Sequence, residues 1–241
     1  MGKTRRTIRK MIIFAKKLVG KEVNLAIQVK CNREIHGEAY GGWCICPDNI
    51  DHDSIVYSFG VGEDISFDLS LIEKYKCRVF AFDPTPRSIQ WVKSQKLPME
   101  FRMHEFGLAD YDGTAKFYPP ANPLHVSHTM LDEFGTESSS IEVPVLTLET
   151  IMKKLGHKHI DICKMDIEGG EYKAIEYMLL RSNIRPRQVL SEFHHRFSCL
   201  SIQHTLDAIK LLNQFGYKLF NISASSEEYS FILSDRDSSL P

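Results

Sequence analysis

The sequence predicts an α/β fold in which a mostly parallel sheet carries helices on both faces and its last strand runs in reverse. Three observations predict it. From Ser54 onward, short β-branched and aromatic runs alternate with helical segments, and such alternation closes into right-handed parallel units. The last two strand-like runs, residues 217–222 and 229–233, are separated only by the polar stretch 223–228. That stretch suits a hairpin-type reversal, so the final strand runs antiparallel. Glycine, acidic and histidine residues gather directly after the strand-like runs, which is where sheets of this kind bind ligands.

The elements follow in order. Residues 55–59 are β-branched and aromatic and stop at Gly60. Ile65, Leu69 and Ile72 recur at helical spacing over residues 65–75. A strand over 79–82 stops at Asp83-Pro84, residues 85–95 read as a helix, and 99–103 as a strand. Residues 114–118 and 141–146 are further extended pieces. Between them, residues 119–140 carry Pro119, Pro120, Pro123 and three serines in a long loop, and long loops in compact domains tend to be functional. A helix over 147–155, a strand over 160–165, a helix over 170–181, a strand over 188–193 and a helix over 201–215 lead to the closing pair of strands.

The 241 residues suit one large single-core domain with a short appendage. We divide the chain into an N-terminal basic helix and extension over 1–50 and the α/β domain over 51–241. Apolar residues make up 43% and charged residues 25%, as in an ordinary globular protein. The formal net charge of -1 argues against a dedicated nucleic-acid binder. The first 20 residues hold seven lysines and arginines and no acid, with Met11, Ile12, Ala15, Leu18 and Val19 at helical spacing. This basic amphipathic helix suits either an anionic membrane surface or packing against the domain. The apolar run at 11–15 is short for a membrane span or a signal peptide, and the expected location is cytoplasmic. The six cysteines are scattered. Cys44, Cys46 and His52 match no common zinc spacing, and no metal ligand set is assigned.

Five strand ends carry chemistry. In Ser58-Phe59-Gly60-Val61-Gly62-Glu63-Asp64 a strand enters a glycine turn that opens a helix. Ile65 stands where a dinucleotide fingerprint has its third glycine. The acids Glu63 and Asp64 repel a pyrophosphate but tolerate the cationic amino-acid end of S-adenosylmethionine (SAM). Asp83 lies 21 positions after Gly62, where a carboxylate accepts bonds from ribose hydroxyls, with Thr85 beside it as a cofactor contact or a helix cap. Phe106 to Asp110, with Leu108 at the centre, lines an adenine pocket or forms a plain turn. Asp166 and Glu168 end the next strand, where they can bind substrate hydroxyls, orient the cofactor or hold a metal. His194 and His195 end the strand after that. One of them faces the site and can remove a proton from a hydroxyl.

These residues resemble the FkbM-type SAM-dependent methyltransferases over roughly residues 40–233. The likeness rests on Gly60-Val61-Gly62, Phe82-Asp83-Pro84, Gly107-Leu108-Ala109-Asp110 with Asp112-Gly113-Thr114, and Glu192-Phe193-His194. Its most specific part is Lys164-Met165-Asp166-Ile167-Glu168-Gly169-Gly170-Glu171, close to the family's K-x-D-x-E-G-x-E. Ser58, Gly62 and Asp64 depart from the acid and Asn-x-Gly of many members, and with Tyr40-Gly41-Gly42-Trp43 upstream the chain resembles a divergent branch. The resemblance implies a Rossmann-like seven-stranded methyltransferase sheet with an antiparallel last strand. It also implies SAM as donor and, commonly, a hydroxyl on a sugar or natural product as acceptor. By that likeness Gly60 and Gly62 contact the methionine part and Asp83 the ribose. Tyr40 and Trp43 form either a lid or core packing.

The expected function is therefore SAM-dependent O-methylation of a small-molecule or carbohydrate acceptor. The expected catalytic residues are His194, Asp166 and Glu168. The expected cofactor residues are Gly60, Gly62, Glu63, Asp64, Asp83, Thr85, Leu108 and Asp166. Two alternatives stand beside it: an NAD(P)-dependent oxidoreductase, and a non-catalytic module of the same fold that binds a partner through the basic helix.

Overall fold

The structure is a computed structural model that describes residues 11–13, 15–17, 20, 22–38, 42–120, 128–131 and 139–234. Its central sheet has seven strands: β3 (Ile55–Phe59), β4 (Arg78–Phe82), β5 (Phe101–His104), β9 (Ile162–Met165), β10 (Gln188–Glu192), β11 (Tyr217–Ile222) and β12 (Glu228–Leu233). They lie in the order β11-β12-β10-β9-β3-β4-β5. The pairs β3–β4, β3–β9, β4–β5 and β9–β10 are parallel. β12 runs antiparallel to β10 on one side and β11 on the other. These are the seven strands expected for the sheet, and the reversed one is the last.

Five helices cover the sheet: α1 (Ser66–Tyr75), α2 (Pro86–Lys93), α3 (Leu148–Leu155), α4 (Glu171–Leu180) and α5 (Ile202–Gln214). On one face Phe67 and Leu71 of α1 and Val92 of α2 pack on Val56, Val79 and Leu190. On the other, Ile151 of α3, Ile175 of α4 and Ile209 of α5 pack on Tyr57, Cys163 and Val189. The strands are buried on both faces, which is why β3 is apolar at nearly every position rather than alternating. Burying each such large side chain contributes about 1.5–3 kcal/mol. The helices end where their sequences dictate. The Thr147 hydroxyl accepts from Thr150 N at the start of α3, and Gly156 closes it with a left-handed φ of 73°.

Three expectations move. β5 begins at Phe101 rather than 99 because Pro98 turns the chain, with Phe101 N donating to Pro98 O and Met99 left exposed. β9 begins at Ile162 because Asp161 turns its side chain to accept from Ile55 N. The extended pieces β7 (Gly113–Phe117) and β8 (Ile141–Leu146) join β6 (Gly107–Leu108) in a separate three-stranded sheet.

The described residues of 22–38 and 42–50 are stitched into the same body. β1 (Glu34–His36) pairs with β2 (Trp43–Ile45), and Trp43 to Cys46 are buried under the α1 face. The buried Gln188 accepts from Cys46 N at 2.8 Å and donates to Cys46 O at 2.7 Å, so one side chain ties the extension to β10. Glu22 is buried against His195 and Arg196. Residues 11–13 and 15–17 are helical, with Ile13 buried and Met11 and Ile12 exposed. The rest of the expected basic helix, residues 1–10, 14, 18 and 19, lies outside the described residues, as does Tyr40. Among the described residues no helix is long and apolar enough to cross a membrane.

Candidate active site

A cavity of about 1500 Å³ opens over the carboxyl ends of β3, β4, β9 and β10. Small-molecule pockets typically hold about 300–1,000 Å³, so this one has room for two ligands side by side. One lobe is lined by the turn after β3, by Asp83, Thr85, Gly107 and Leu108, and by Phe117. The other is lined by Trp43, Lys164, Glu192, Asn221, Ser223 and Ser230.

The glycine turn is shaped by how closely β3 and β9 approach. Gly60 has φ +73°, and a Cβ there would lie 1.6 Å from the carbonyl oxygen of Asp166. Only glycine fits. Lys164, buried on β9, donates from Nζ to Gly60 O at 2.8 Å and sits 5.3 Å from the Trp43 ring centroid. Trp43 itself is buried in the core cluster and also borders the cavity.

The Asp83 carboxylate is aimed by its neighbours. Oδ2 accepts from Gly62 N at 3.0 Å, and Oδ1 accepts from Thr85 N at 2.9 Å and Thr85 Oγ1 at 2.6 Å. Thr85 is the N-cap residue of α2, ahead of Pro86 at the first helical position. Its hydroxyl serves Asp83 rather than the helix end. Leu108 is buried at the far wall of this lobe.

Glu63 and Asp64 fall in the turn before α1 and not in its first helical turn, because Ile65 is the N-cap residue. Arg87 of α2 grips Glu63 with Nε to Oε1 at 2.8 Å and Nη2 to Oε2 at 3.1 Å. Glu63 is thereby held below the ordinary carboxylate range. Asp64 Oδ1 accepts from Ser66 N at 2.8 Å. The repulsion expected from two bare acids is therefore halved, and Asp64 carries what remains.

At the ends of β9 and β10 four carboxylates converge on one imidazole. His194 is nine-tenths buried. Its Nδ1 lies 3.0 Å from Glu171 Oε1, and its Nε2 lies 3.2 Å from Glu168 Oε2, 3.9 Å from Glu192 Oε1 and 4.0 Å from Asp166 Oδ1. Burial works against a charged ring, but Glu171 and Glu168 outweigh it and hold His194 well above its ordinary value. Burial pushes Asp166 and Glu192 up, with mutual repulsion adding to it. Glu168 reaches the cluster through a left-handed residue, φ 50°, and its carbonyl accepts from Thr129 Oγ1 at 2.5 Å. Thr129 belongs to the long loop expected to be functional, whose remaining residues 121–127 and 132–138 lie outside the described residues. His195 faces the other way, onto Glu22 and Thr205. One histidine of the pair therefore enters the site and the other packs the core.

The structure thus lines one cavity with Gly60, Gly62, Asp83, Thr85, Leu108, Asp166 and Glu168, and places His194 behind the last two, outside the lining itself. Lys164, Glu171 and Glu192 were not assigned roles from the sequence. For Lys164 and Glu192 the signal was present, since charged residues in strands as apolar as β9 and β10 need partners. Asp68 was missed too. It is buried on α1 at the cavity wall and pushed up to about 6 by burial.

The sequence matches the methyltransferase FkbM domain over residues 53–219, more than half of the chain. The chain belongs to the FkbM methyltransferase family. Two curated relatives are similar to this FkbM chain. Probable methyltransferase-like protein 24 of Homo sapiens is 24% identical over 197 residues, covering 74% of this chain and 47% of the relative. Its Rattus norvegicus counterpart is 26% identical over 168 residues, covering 66% and 40%. The FkbM chain thus spans less than half the length of the curated relatives it matches. Among solved structures, the FkbM methyltransferase of Methylobacillus flagellatus KT superposes with a TM-score of 0.48 at 15% identity, covering 76% of this chain and 44% of that one.

Proposed function

We propose that this FkbM-family chain transfers a methyl group from SAM to a hydroxyl oxygen of a small-molecule or carbohydrate acceptor. The observation that carries the reading is the Asp83 carboxylate, held by Gly62 N and by Thr85 at the cavity wall. A carboxylate fixed beside a glycine turn suits paired ribose hydroxyls. The donor set fits SAM. A side chain at Gly60 would collide with Asp166, so glycine keeps this turn close against β9 at the cavity wall.

When bound, SAM supplies a methyl group already activated on a sulfonium, so much of the catalysis is positioning. Asp83 holds the ribose. Gly60, Gly62 and Asp64 hold the amino-acid end, and Glu63 braces that turn through Arg87. Leu108 lies against the base. Asp166 and Glu168 orient the acceptor, whose hydroxyl groups are matched by Asn221 and Ser223 in the second lobe. His194 is the residue to which proton removal is assigned. Its ring is charged where it stands, so it accepts the acceptor's proton only after Nε2 has lost its own.

Calorimetry with SAM on wild type and Asp83→Ala tests the reading. Saturable binding lost in the variant is the expected result. Absence of SAM binding, with NADH bound instead, overturns it. Full turnover by His194→Ala removes His194 from the reaction.

A further inference from the structure

We propose that Asp166, Glu192 and His194 form a binding site for one divalent cation of the Mn²⁺ kind. The site goes beyond the methyl-transfer reading and needs neither SAM nor turnover to exist.

One oxygen of Asp166, one of Glu192 and one ring nitrogen of His194 all lie within 4.8 Å of one another. Donors around a cation at about 2.1 Å stand roughly 3 Å apart when adjacent and about 4.2 Å when opposed. Nε2 of His194 is 4.0 Å from Asp166 Oδ1 and 3.9 Å from Glu192 Oε1, so a small side-chain adjustment closes the set. The three residues come from the ends of two adjacent parallel strands, paired as Leu190 with Lys164 and Ser191 with Met165. Rigid backbone therefore fixes their spacing.

An independent feature sets the imidazole up as a ligand. Glu171, which is not one of the three donors, is fully buried. Its Oε2 accepts from Gly169 N, and its Oε1 accepts from His194 N and faces His194 Nδ1. A buried carboxylate on the far ring nitrogen fixes that nitrogen as the donor, and Nε2 becomes a ligand when the cation replaces its 3.2 Å contact with Glu168 Oε2. Asp166 is likewise divided. Oδ2 faces Lys164 Nζ at 3.9 Å, and Oδ1 faces His194.

Charge points the same way. With His194 a neutral ligand, the carboxylates of Asp166, Glu168, Glu171 and Glu192 face one side-chain cation, Lys164. A divalent ion narrows that imbalance in a half-buried place where unpaired charge is costly. Two carboxylates with one imidazole suit a cation that takes both oxygen and nitrogen donors, which favours Mn²⁺ over Ca²⁺. An acceptor hydroxyl bound to such a cation would lose its proton more readily. His194 would then serve as a ligand and not as the base.

The test is a Mn²⁺ titration of the full chain without SAM, followed by the electron paramagnetic resonance signal of free Mn²⁺. One saturable site is expected. Glu192→Gln abolishes or weakens it, and Glu171→Gln weakens it by about 10–100-fold through the ring. The exposed Glu142→Gln binds as wild type. Thermal melts of each variant without metal verify folding, and added Mn²⁺ raises the wild-type Tm but not that of Glu192→Gln. No saturable binding, or binding that Glu192→Gln leaves unchanged, overturns the proposal. Since neither readout involves SAM, a failure here is distinguishable from a failure of the methyl-transfer reading.

Discussion

Glu171 Oε1 stands 3.0 Å from both the backbone N and the ring Nδ1 of His194. One buried oxygen thus fixes the place of the residue and the direction of its ring. Glu171→Ala would leave the imidazole and the Gly169 N–H without their acceptor. Breaking one side of such a buried pair costs about 3–5 kcal/mol. Glu171→Gln keeps an acceptor oxygen and should cost less than half of that. Urea denaturation of the two variants checks the order.

Gly60 and Gly156 share the same positive φ of 73° but not the same surroundings. A methyl group at Gly156 meets nothing within 4 Å, whereas at Gly60 it meets Asp166 O at 1.6 Å. Gly156→Ala should carry only the backbone penalty, about 1–2 kcal/mol. Gly60→Ala must push β3 and β9 apart at the cavity. It should lower the Tm further and remove SAM binding, which Gly156→Ala retains.

The Thr85 hydroxyl tests how far Asp83 depends on being aimed. Thr85→Val removes the Oγ1 bond to Asp83 Oδ1 and keeps the N–H bond. Losing one hydrogen bond to a charged group costs about 1.5–3 kcal/mol. The Tm should therefore fall, and SAM affinity should fall by roughly tenfold because Asp83 is no longer held in place. Asp83→Ala should lose binding outright. Calorimetry reads both.

Glu22 makes the fold acid-sensitive. Burial opposes its charge, but Arg196 and His195 overcome this and hold its carboxyl below the ordinary 4.5. A lowered folded pKa means that this stabilisation is complete above about pH 4.5 and fades as the pH falls toward the folded value. Glu22→Gln should lower stability at pH 7 and flatten the decline below pH 4.5. Denaturation midpoints measured across pH 3–7 give the comparison.

Much of the central sheet was legible because strands such as 55–59 are buried on both faces and read as unbroken apolar runs, and 55–59 is correct to the residue. The run 141–146 is also correct to the residue but alternates in burial and lies in the three-stranded sheet. Boundaries failed where a side chain replaced a backbone bond, as with Asp161 capping β3, or where proline bent the entry, as at Pro98. The β1–β2 pair was missed because three-residue strands have no periodicity to detect. In the site, the positions of Asp83 and His194 after strands were visible. Their partners were not, because Gly62 with Asp83 and Glu171 with His194 meet only through the crossover of the fold. The pairing of Glu63 with Arg87 was hidden for the same reason, being made between a turn and a helix 24 positions apart.

The placement of β12 between β10 and β11 has a consequence for synthesis on the ribosome. The strands emerge in numerical order, so β11 leaves the tunnel before the strand that must separate it from β10. Until residues 228–233 follow, β11 has only its bonds to Gln28 and Val29 and no paired strand, and the outer edge of β10 stays open to any passing strand. A nascent chain stalled before those residues should be the species that chaperones hold.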